Sequence, residues 1–263
     1  LLVWPLSQHD RPVMVGSYPV IRISHLLLAA LCAAPLSALC AAPLSATSET
    51  SPAPEPPEGM VYVPAGEFIM GSELGDADET PQHIATTAAF FIDVFEVSNA
   101  TYKKYDSAFT FEDGKENFPA IVTWEQADAY ARAIGKRLPT EKEWEKAARG
   151  LDGRLYPWGN TYDPTFIQYD RTKGIGETIA KPKSPYGCYD MAGSAMEWTS
   201  DWYKPYKGNS IPSDRYGEKF KVLKGGTTFN DQAHMRCSHR FYLPVNDSSN
   251  YITGFRCVKD IKE

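Results

Sequence analysis

The chain has 263 residues, of which 43% are hydrophobic and 23% charged, and only five are cysteine. Its formal net charge is −6, from 27 basic and 33 acidic side chains, and it has no basic stripe of the kind that marks a nucleic-acid-binding protein. So few cysteines also exclude a disulfide scaffold.

The first 46 residues have the layout of a secretory signal peptide. After Met14, a short basic region is followed by an apolar run from Leu26 and then by small residues. The octapeptide LCAAPLSA occurs twice in tandem, so cleavage is expected after Ala38 or after Ala46. We therefore expect a secreted or periplasmic protein.

Two alternatives for this leader are less favoured. Pro35 and Pro43 interrupt the apolar run, which argues against a membrane span. A lipid anchor on Cys32 or Cys40 would need a small residue before the cysteine, and each follows a leucine.

A Pro/Glu/Ser-rich segment, residues 47–58, follows the leader. It has too few apolar side chains to be buried, and we expect a disordered linker. The remainder, residues 59–263, has the length of one domain.

The first elements of this domain are predicted to be strands and a helix. Residues 60–71 (MVYVPAGEFIMG) indicate a hairpin around a Pro-Ala-Gly turn, and residues 90–97 are rich in β-formers. Ser98 is a candidate helix cap, and the helix after it would place Tyr102, Tyr105 and Phe109 on one face.

Two capping boxes predict two further helices. Thr123–Gln126 opens the first, which Gly135 closes, and Thr140–Glu143 opens the second, which Gly150 closes. The inward positions are Ala127, Tyr130, Ala131 and Ile134 in the first helix and Trp144, Ala147 and Ala148 in the second.

The rest of the chain shows little periodicity. Residues 151–186 are loop-like, and strands are predicted at 220–227, 235–243 and 253–259. The sum is an α+β domain with little regular secondary structure and mostly antiparallel strands.

Nine strings of this sequence, in the family's order, resemble the formylglycine-generating enzyme (sulfatase-modifying factor) family. They are PAGEFIMGS (64–72), ETPQH (79–83), FFIDVFEVSN (90–99), GKRLPTEKEWEKAARG (135–150), YPWGN (156–160), YGCYDMAG (186–193), MEWTSDWY (196–203), LKGGT (223–227) and GFRC (254–257). The resemblance implies the sulfatase-modifying-factor variant of the C-type lectin-like fold.

The resemblance also implies which chemistry this chain lacks. Enzymes of the family bind Cu(I) with two cysteines after the GGS segment and use O₂ to convert a sulfatase cysteine to formylglycine. Here the first cysteine position falls at Asn230 and the second near His234 or Met235. Cu(I) requires soft thiolate ligands, so we expect neither copper nor formylglycine synthesis.

Calcium is a further expectation from the resemblance. The family's GNxWEW segment supplies an Asn oxygen, backbone carbonyls and a Glu to Ca²⁺. The matching stretch keeps Glu197 but has Ser194 in place of the Asn, a shorter and weaker ligand.

The altered loop offers other polar side chains. His234 and His239 with Asp231 would supply the two imidazoles and one carboxylate of a non-haem iron site. On one regular strand, however, the two histidines would point to opposite faces. We therefore favour loop residues without a metal, and iron is the less favoured alternative.

Three cysteines lie beyond the leader, Cys188, Cys237 and Cys257, and Cys237–Cys257 is our first choice for a disulfide. For Arg240 and Arg256 we expect ion pairs rather than ligand contacts. Their candidate partners are Glu143, Glu145 and Asp190.

Two functional hypotheses remain. The first is an exported, non-catalytic binding or accessory domain whose loop surface holds a protein, peptide or glycan. The second is a divergent metal-dependent oxidoreductase of the same family that acts on an exported peptide or protein. The candidate ligand-binding residues are Thr227, Thr228, Asn230, Asp231, His234, Arg236 and His239.

Overall fold

The computed structural model describes residues 53–167, 182–247 and 252–261. The chain divides into two units, Leu1–Thr50 and Ser51–Glu263, and every element below belongs to the second. The predicted signal peptide lies outside the described residues. Residues 53–58 of the predicted linker form no helix or strand, although the carbonyl of Pro57 accepts the N–H of Met60 at 3.0 Å.

Three α-helices and nine short strands form within the described ranges. The helices are α1 (Asn99–Tyr105), α2 (Trp124–Ala133) and α3 (Glu141–Arg149). The strands are β1 (Met60–Val63), β2 (Gly66–Met70), β3 (His83–Thr87), β4 (Phe90–Asp93), β5 (Met196–Trp202), β6 (Lys221–Lys224), β7 (Phe241–Leu243), β8 (Thr253–Gly254) and β9 (Val258–Asp260).

The strands pair into three small sheets. Their orders are β1-β4-β9, β2-β3 and β7-β6-β5-β8. Only β5 and β8 run parallel, and the other described pairs are antiparallel. The predicted α+β class with little regular secondary structure is confirmed.

The predicted hairpin over residues 60–71 is wrong. β1 pairs with β4, and β2 pairs with β3, so the Pro-Ala-Gly turn carries the chain from one sheet to another. The buried Lys146 ammonium of α3 donates to the carbonyls of Pro64 and Gly66 at 2.7 and 2.9 Å, and to the Thr87 hydroxyl at 2.9 Å. The turn is therefore bound to a helix and is not closed by a cross-strand ladder.

All three predicted helices form, and their caps are those that the sequence indicates. Thr123 and Thr140 each close a capping box, and Gly150 ends α3 with φ of 73°. Ser98 accepts the N–H of Thr101 at the start of α1. Ile134 is the exception, because it lies just past α2 and is exposed.

The helix after Ser98 is shorter than its apolar spacing suggests. α1 ends at Tyr105, so Phe109 lies beyond it. The Phe109 ring nevertheless reaches the Tyr102 ring, at a centroid distance of 4.8 Å. The aromatic contact is thus made by the loop that follows the helix.

The strand predicted over residues 235–243 forms only at its end, as β7. Asp231 caps a single 3₁₀ turn, Gln232–Met235, and residues 236–240 are irregular. The Asp231 carboxylate accepts the backbone N–H groups of Ala233 and His234, which competes with strand pairing.

Helix α3 lies at the centre of the domain, in contact with β2, β3, β5 and β6. Trp144 is fully buried, which confirms its predicted core position, and its indole N–H donates to Glu197 at 2.9 Å. Trp124 is partly buried against the neighbouring cluster and donates to the carbonyl of Thr199. No helix of the described part is both long and apolar enough to cross a bilayer.

Replacing Thr140 by alanine removes the hydroxyl that accepts the Glu143 N–H at 3.3 Å and donates to its carboxylate at 2.8 Å. Loss of such a cap should lower the free energy of unfolding by about 1 kcal/mol. In urea unfolding this appears as a lower midpoint at unchanged slope. Thr140→Ser keeps the hydroxyl and should retain most of the stability, and an equal loss in both variants would contradict the capping role.

Candidate functional site

The loop that follows β6 begins with two glycines in left-handed conformations. Gly226 has φ of 64°, and a Cβ there would lie 2.8 Å from the carbonyl oxygen of His234. Only glycine allows the loop to return this close to itself. The loop thus folds into a compact hook rather than an extended strand.

Asn230, the predicted equivalent of the family's first cysteine, bonds within this hook. Its side-chain oxygen accepts the Thr227 backbone N–H at 2.8 Å and the Thr227 hydroxyl at 3.0 Å. Its own backbone N–H donates to the Thr227 carbonyl at 2.9 Å. The carboxamide of Asn230 therefore closes the loop on Thr227.

Asp231 and His234 form an exposed pair on the next turn. The Nδ1 atom of His234 lies 2.6 Å from the Asp231 carboxylate. Although burial alone would raise it, the pKa of Asp231 is lowered by its bonds to His234 and to backbone N–H groups. The carboxylate thus stays charged at neutral pH.

Arg236, a predicted ligand residue, is instead held in a buried ion pair. Two of its N–H groups donate to Glu79 at 2.7 and 3.0 Å. Burial alone would raise the pKa of Glu79, but the neighbouring His239, Asp76 backbone N–H, Ser238 and Arg236 together lower it to about 2. This pair fastens the loop to the 3₁₀ turn Ala77–Glu79.

His239 lies against the same carboxylate. Its side chain is 7% exposed, and its Nδ1 atom is 3.4 Å from Oδ2 of Asp76 and 3.5 Å from Oε1 of Glu79. His234 and His239 do not lie on one regular strand, the condition under which they would face opposite ways, because the chain there is a 3₁₀ turn and an irregular segment. Their ring centroids are only 4.6 Å apart.

The other face of the hook borders a cavity of about 610 Å³. Phe229, which is 66% exposed, lines it together with Thr228. The remaining lining residues come from α1 and the segment after it, and from two further positions: Asn99, Phe109, Thr110, Phe111, Glu112, Lys115, Phe118, Pro119, Ile121, Ser194 and Ile252. The lining is mainly aromatic and aliphatic.

The structure thus separates the predicted ligand-binding residues. Thr228 lines the cavity, and Thr227 and Asn230 bond to each other. Arg236 and His239 contact Glu79, whereas Asp231 and His234 form a separate exposed pair. Met235, near the family's second cysteine position, is fully buried against Tyr156 and Ile167.

The predicted disulfide is wrong, because Cys188, Cys237 and Cys257 are all free and buried. Cys237 packs in the same core cluster as Cys188, whereas Cys257 packs in another. Burial raises the pKa of Cys188 to about 11 and that of Cys237 to about 12, and it raises the pKa of Cys257 well above its usual value. These sulfurs are thiols at neutral pH.

Arg240 and Arg256 form the expected buried ion pairs, but with other partners. Arg240 binds Glu141 at 2.7 and 3.0 Å, and Arg256 binds Glu197 at 2.6 and 2.7 Å. The candidates Glu143 and Glu145 bind Arg137 and Arg149 instead, each within a few residues along the chain.

These contacts bear on the calcium expectation. The carboxylate of Glu197 faces the Arg256 guanidinium and the Trp144 indole, and the Ser194 hydroxyl donates to Glu96 at 2.9 Å. Both oxygens of Glu197 accept N–H groups in this arrangement, so Ca²⁺ would have to displace the Arg256 or Trp144 bonds to use them. Calcium at this position stays a prediction.

Three residues near the loop were not found from the sequence. Asp76 and Glu79 precede the loop by about 160 positions. Phe229 lies between the candidates Thr228 and Asn230 but was not itself a candidate. The ETPQH string did mark Glu79 as part of a family motif, but it gave no partner. Only the folded chain brings Glu79 to Arg236 and His239.

The sequence and the fold were compared with known proteins. Residues 45–261 match the family described as "Sulfatase-modifying factor enzyme 1-like domain". The chain belongs to this family. That confirms the resemblance carried by the nine strings.

Individual relatives differ in what their names say they do. The formylglycine-generating enzyme of Streptomyces coelicolor is 30% identical over 298 residues, which cover 82% of this chain and 94% of the enzyme. The inactive Cα-formylglycine-generating enzyme 2 of Mus musculus is 31% identical over 272 residues, which cover 76% of this chain and 85% of that protein.

The match to the serine/threonine-protein kinase Pkn1 of Chlamydia trachomatis covers 77% of this chain at 34% identity, but only 38% of the kinase. Among solved structures, PvdO from Pseudomonas aeruginosa has a TM-score of 0.61 at 23% identity, over 77% of this chain and 94% of PvdO. That likeness shows the fold.

In the folded protein at pH 8, Cys188, Cys237 and Cys257 should resist alkylation by iodoacetamide. They are buried, and their raised pKa values leave little of the nucleophilic thiolate. Peptide mass spectrometry should find them near background after brief exposure and fully labelled once denaturant unfolds the chain. Rapid labelling of any two in the native protein would restore a candidate thiolate pair.

Proposed function

We propose that this chain is an exported, non-catalytic ligand-binding or accessory domain of the family, and that it does not make formylglycine. The observation that carries the proposal is the hook around Asn230. A carboxamide bonded to Thr227 stands where copper would need a thiolate, and the cysteines of the described ranges are buried thiols. The leader pattern of residues 1–46 supports export.

The relatives include proteins named as active and as inactive formylglycine-generating enzymes. At about the same identity, one is named for formylglycine synthesis and another is named inactive. Function in such families depends on the site rather than the fold. The absence of cysteine from both predicted positions supports a member that does not make formylglycine.

The cavity beside Phe229 is the proposed ligand site. At about 610 Å³ it lies within the usual size range of ligand pockets, and its walls are mainly aromatic and aliphatic. Glu112 and Lys115 supply charges of both signs among the lining residues. The ligand that fits these features is a peptide that inserts an aromatic or branched aliphatic side chain.

Formylglycine synthesis is tested directly. We expect no aldehyde when the purified chain is incubated with Cu(I), O₂ and a peptide carrying the Cys-x-Pro-x-Arg sulfatase motif, because the cysteines of the described ranges are buried thiols that offer copper no thiolate pair. Mass spectrometry of the peptide is the measurement, and the Streptomyces coelicolor enzyme is the positive control. Conversion of the peptide cysteine by this chain would contradict the proposal.

The second candidate, a metal-dependent oxidoreductase, gives a different result in the same samples. Stoichiometric iron or copper with O₂ uptake would favour it. The observation that favours this candidate is the cluster of Asp76, Glu79 and His239, whose side chains are of the types that bind metal ions.

Peptides selected on the purified chain from a phage-displayed random library should share one aromatic or branched aliphatic side chain. Phe229→Ala removes part of the cavity wall and should weaken a selected peptide at least about tenfold in calorimetric titration. Leu151→Ala is the matched control, because Leu151 is 59% exposed and does not line the cavity. Unchanged affinity in Phe229→Ala, or no enriched peptide, would argue against this ligand site.

A further inference from the structure

Two neighbouring polar atoms stand out in the interior. Among the described residues, Ser238 Oγ and His239 Nδ1 are the buried side-chain polar atoms without a hydrogen-bond partner. Buried polar groups nearly always have a hydrogen-bond partner, because a group without one gives up its hydrogen bonds to water and gains none in the protein. The Nδ1 atom of His239 faces two carboxylates at distances that suit an electrostatic contact and are long for a hydrogen bond.

The distances around this nitrogen match a coordination geometry. Nδ1 of His239 lies 3.4 Å from Asp76 Oδ2 and 3.5 Å from Glu79 Oε1, too far for good hydrogen bonds. Ligand atoms of the three residues all lie within 4.8 Å of one another. Two ligands bound tetrahedrally at about 2.1 Å from one cation stand about 3.4 Å apart.

We propose that Asp76, Glu79 and His239 bind one divalent cation of the zinc class. The imidazole nitrogen and two carboxylate oxygens are three of its four ligands, and water takes the fourth position. An imidazole in the set selects zinc and its transition-metal neighbours over Mg²⁺ and Ca²⁺, which prefer oxygen alone. This site differs from the predicted set of His234, His239 and Asp231, because the carboxylates come from residues far upstream.

The surrounding charges set the strength of the site. Asp76 and Glu79 are anionic, whereas Arg236 binds both oxygens of Glu79 and offsets one of these charges. Glu79 Oε1 already accepts Arg236 at 2.7 Å and the Asp76 backbone N–H at 3.0 Å, so a cation at this oxygen has to displace one of these bonds. We therefore expect reversible binding, weaker than three unshared ligands would give.

The Asp231–His234 pair beside the cluster supplies a matched control. It has the same two residue types, and the His234 ring contacts that of His239. Neither of its members belongs to the three proposed ligands. The cluster also shares no residue with the cavity lining, so the inference does not depend on the proposed function.

The test is a Co²⁺ titration of the full chain, followed by visible absorption and by displacement with Zn²⁺. Tetrahedral Co²⁺ absorbs strongly because it lacks a centre of symmetry, and a bound thiolate would add a near-ultraviolet band. We expect one equivalent of tetrahedral Co²⁺, no thiolate band, and displacement by Zn²⁺. Asp76→Asn should weaken binding at least about tenfold, and its exposed position leaves the fold intact.

His239→Asn should abolish the tetrahedral spectrum, and Asp231→Asn should leave the affinity unchanged within about twofold. The proposal is overturned if wild type shows no tetrahedral spectrum, or if Asp76→Asn binds as wild type does. It is also overturned if Asp231→Asn loses as much affinity as Asp76→Asn, since the cation would then belong to the exposed pair.

Discussion

Helix α3 carries charged side chains into an interior that water does not reach. Glu145 is fully buried and binds Arg149 at 2.8 Å and Lys224 at 3.0 Å, while Glu141 binds Arg240. A buried charge that loses its partner destabilises a protein strongly, so the helix packs only when these partners are in place. Because Lys224 comes from β6 and Arg240 follows the hook, the ion pairs position the sheet and the altered loop together.

Local signals in the sequence were enough to find the helices. The capping boxes at Thr123 and Thr140 join residues three positions apart, so both could be recognised without knowledge of the fold. Strand pairing was different, because β1 takes its partner about 30 residues away and not across the adjacent turn. The buried amine of Lys146 decides that turn, and no periodicity in the sequence indicates it.

The same distinction applies to the site. The residue types of the loop predict that it lacks the thiolates, but the sequence analysis placed the two glycines in a strand over residues 220–227, whereas β6 ends at Lys224. The sequence did not show that Asn230 would close the hook on Thr227, or that Arg236 and His239 would meet Glu79. The strand prediction also failed near Asp231, because the Asp231 carboxylate caps a 3₁₀ turn. That turn brings the rings of His234 and His239 together.

The anchor between Glu79 and Arg236 has a consequence for the environments that the domain tolerates. With its pKa lowered to about 2 in the folded protein, Glu79 stabilises the fold fully above its unfolded pKa. This stabilisation is lost only as the pH falls from the unfolded pKa of Glu79 towards 2. Moderate acidification therefore leaves the hook fastened, whereas a surface pair screened by water would already have been released. The base of the loop therefore stays fastened whichever residues occupy its tip.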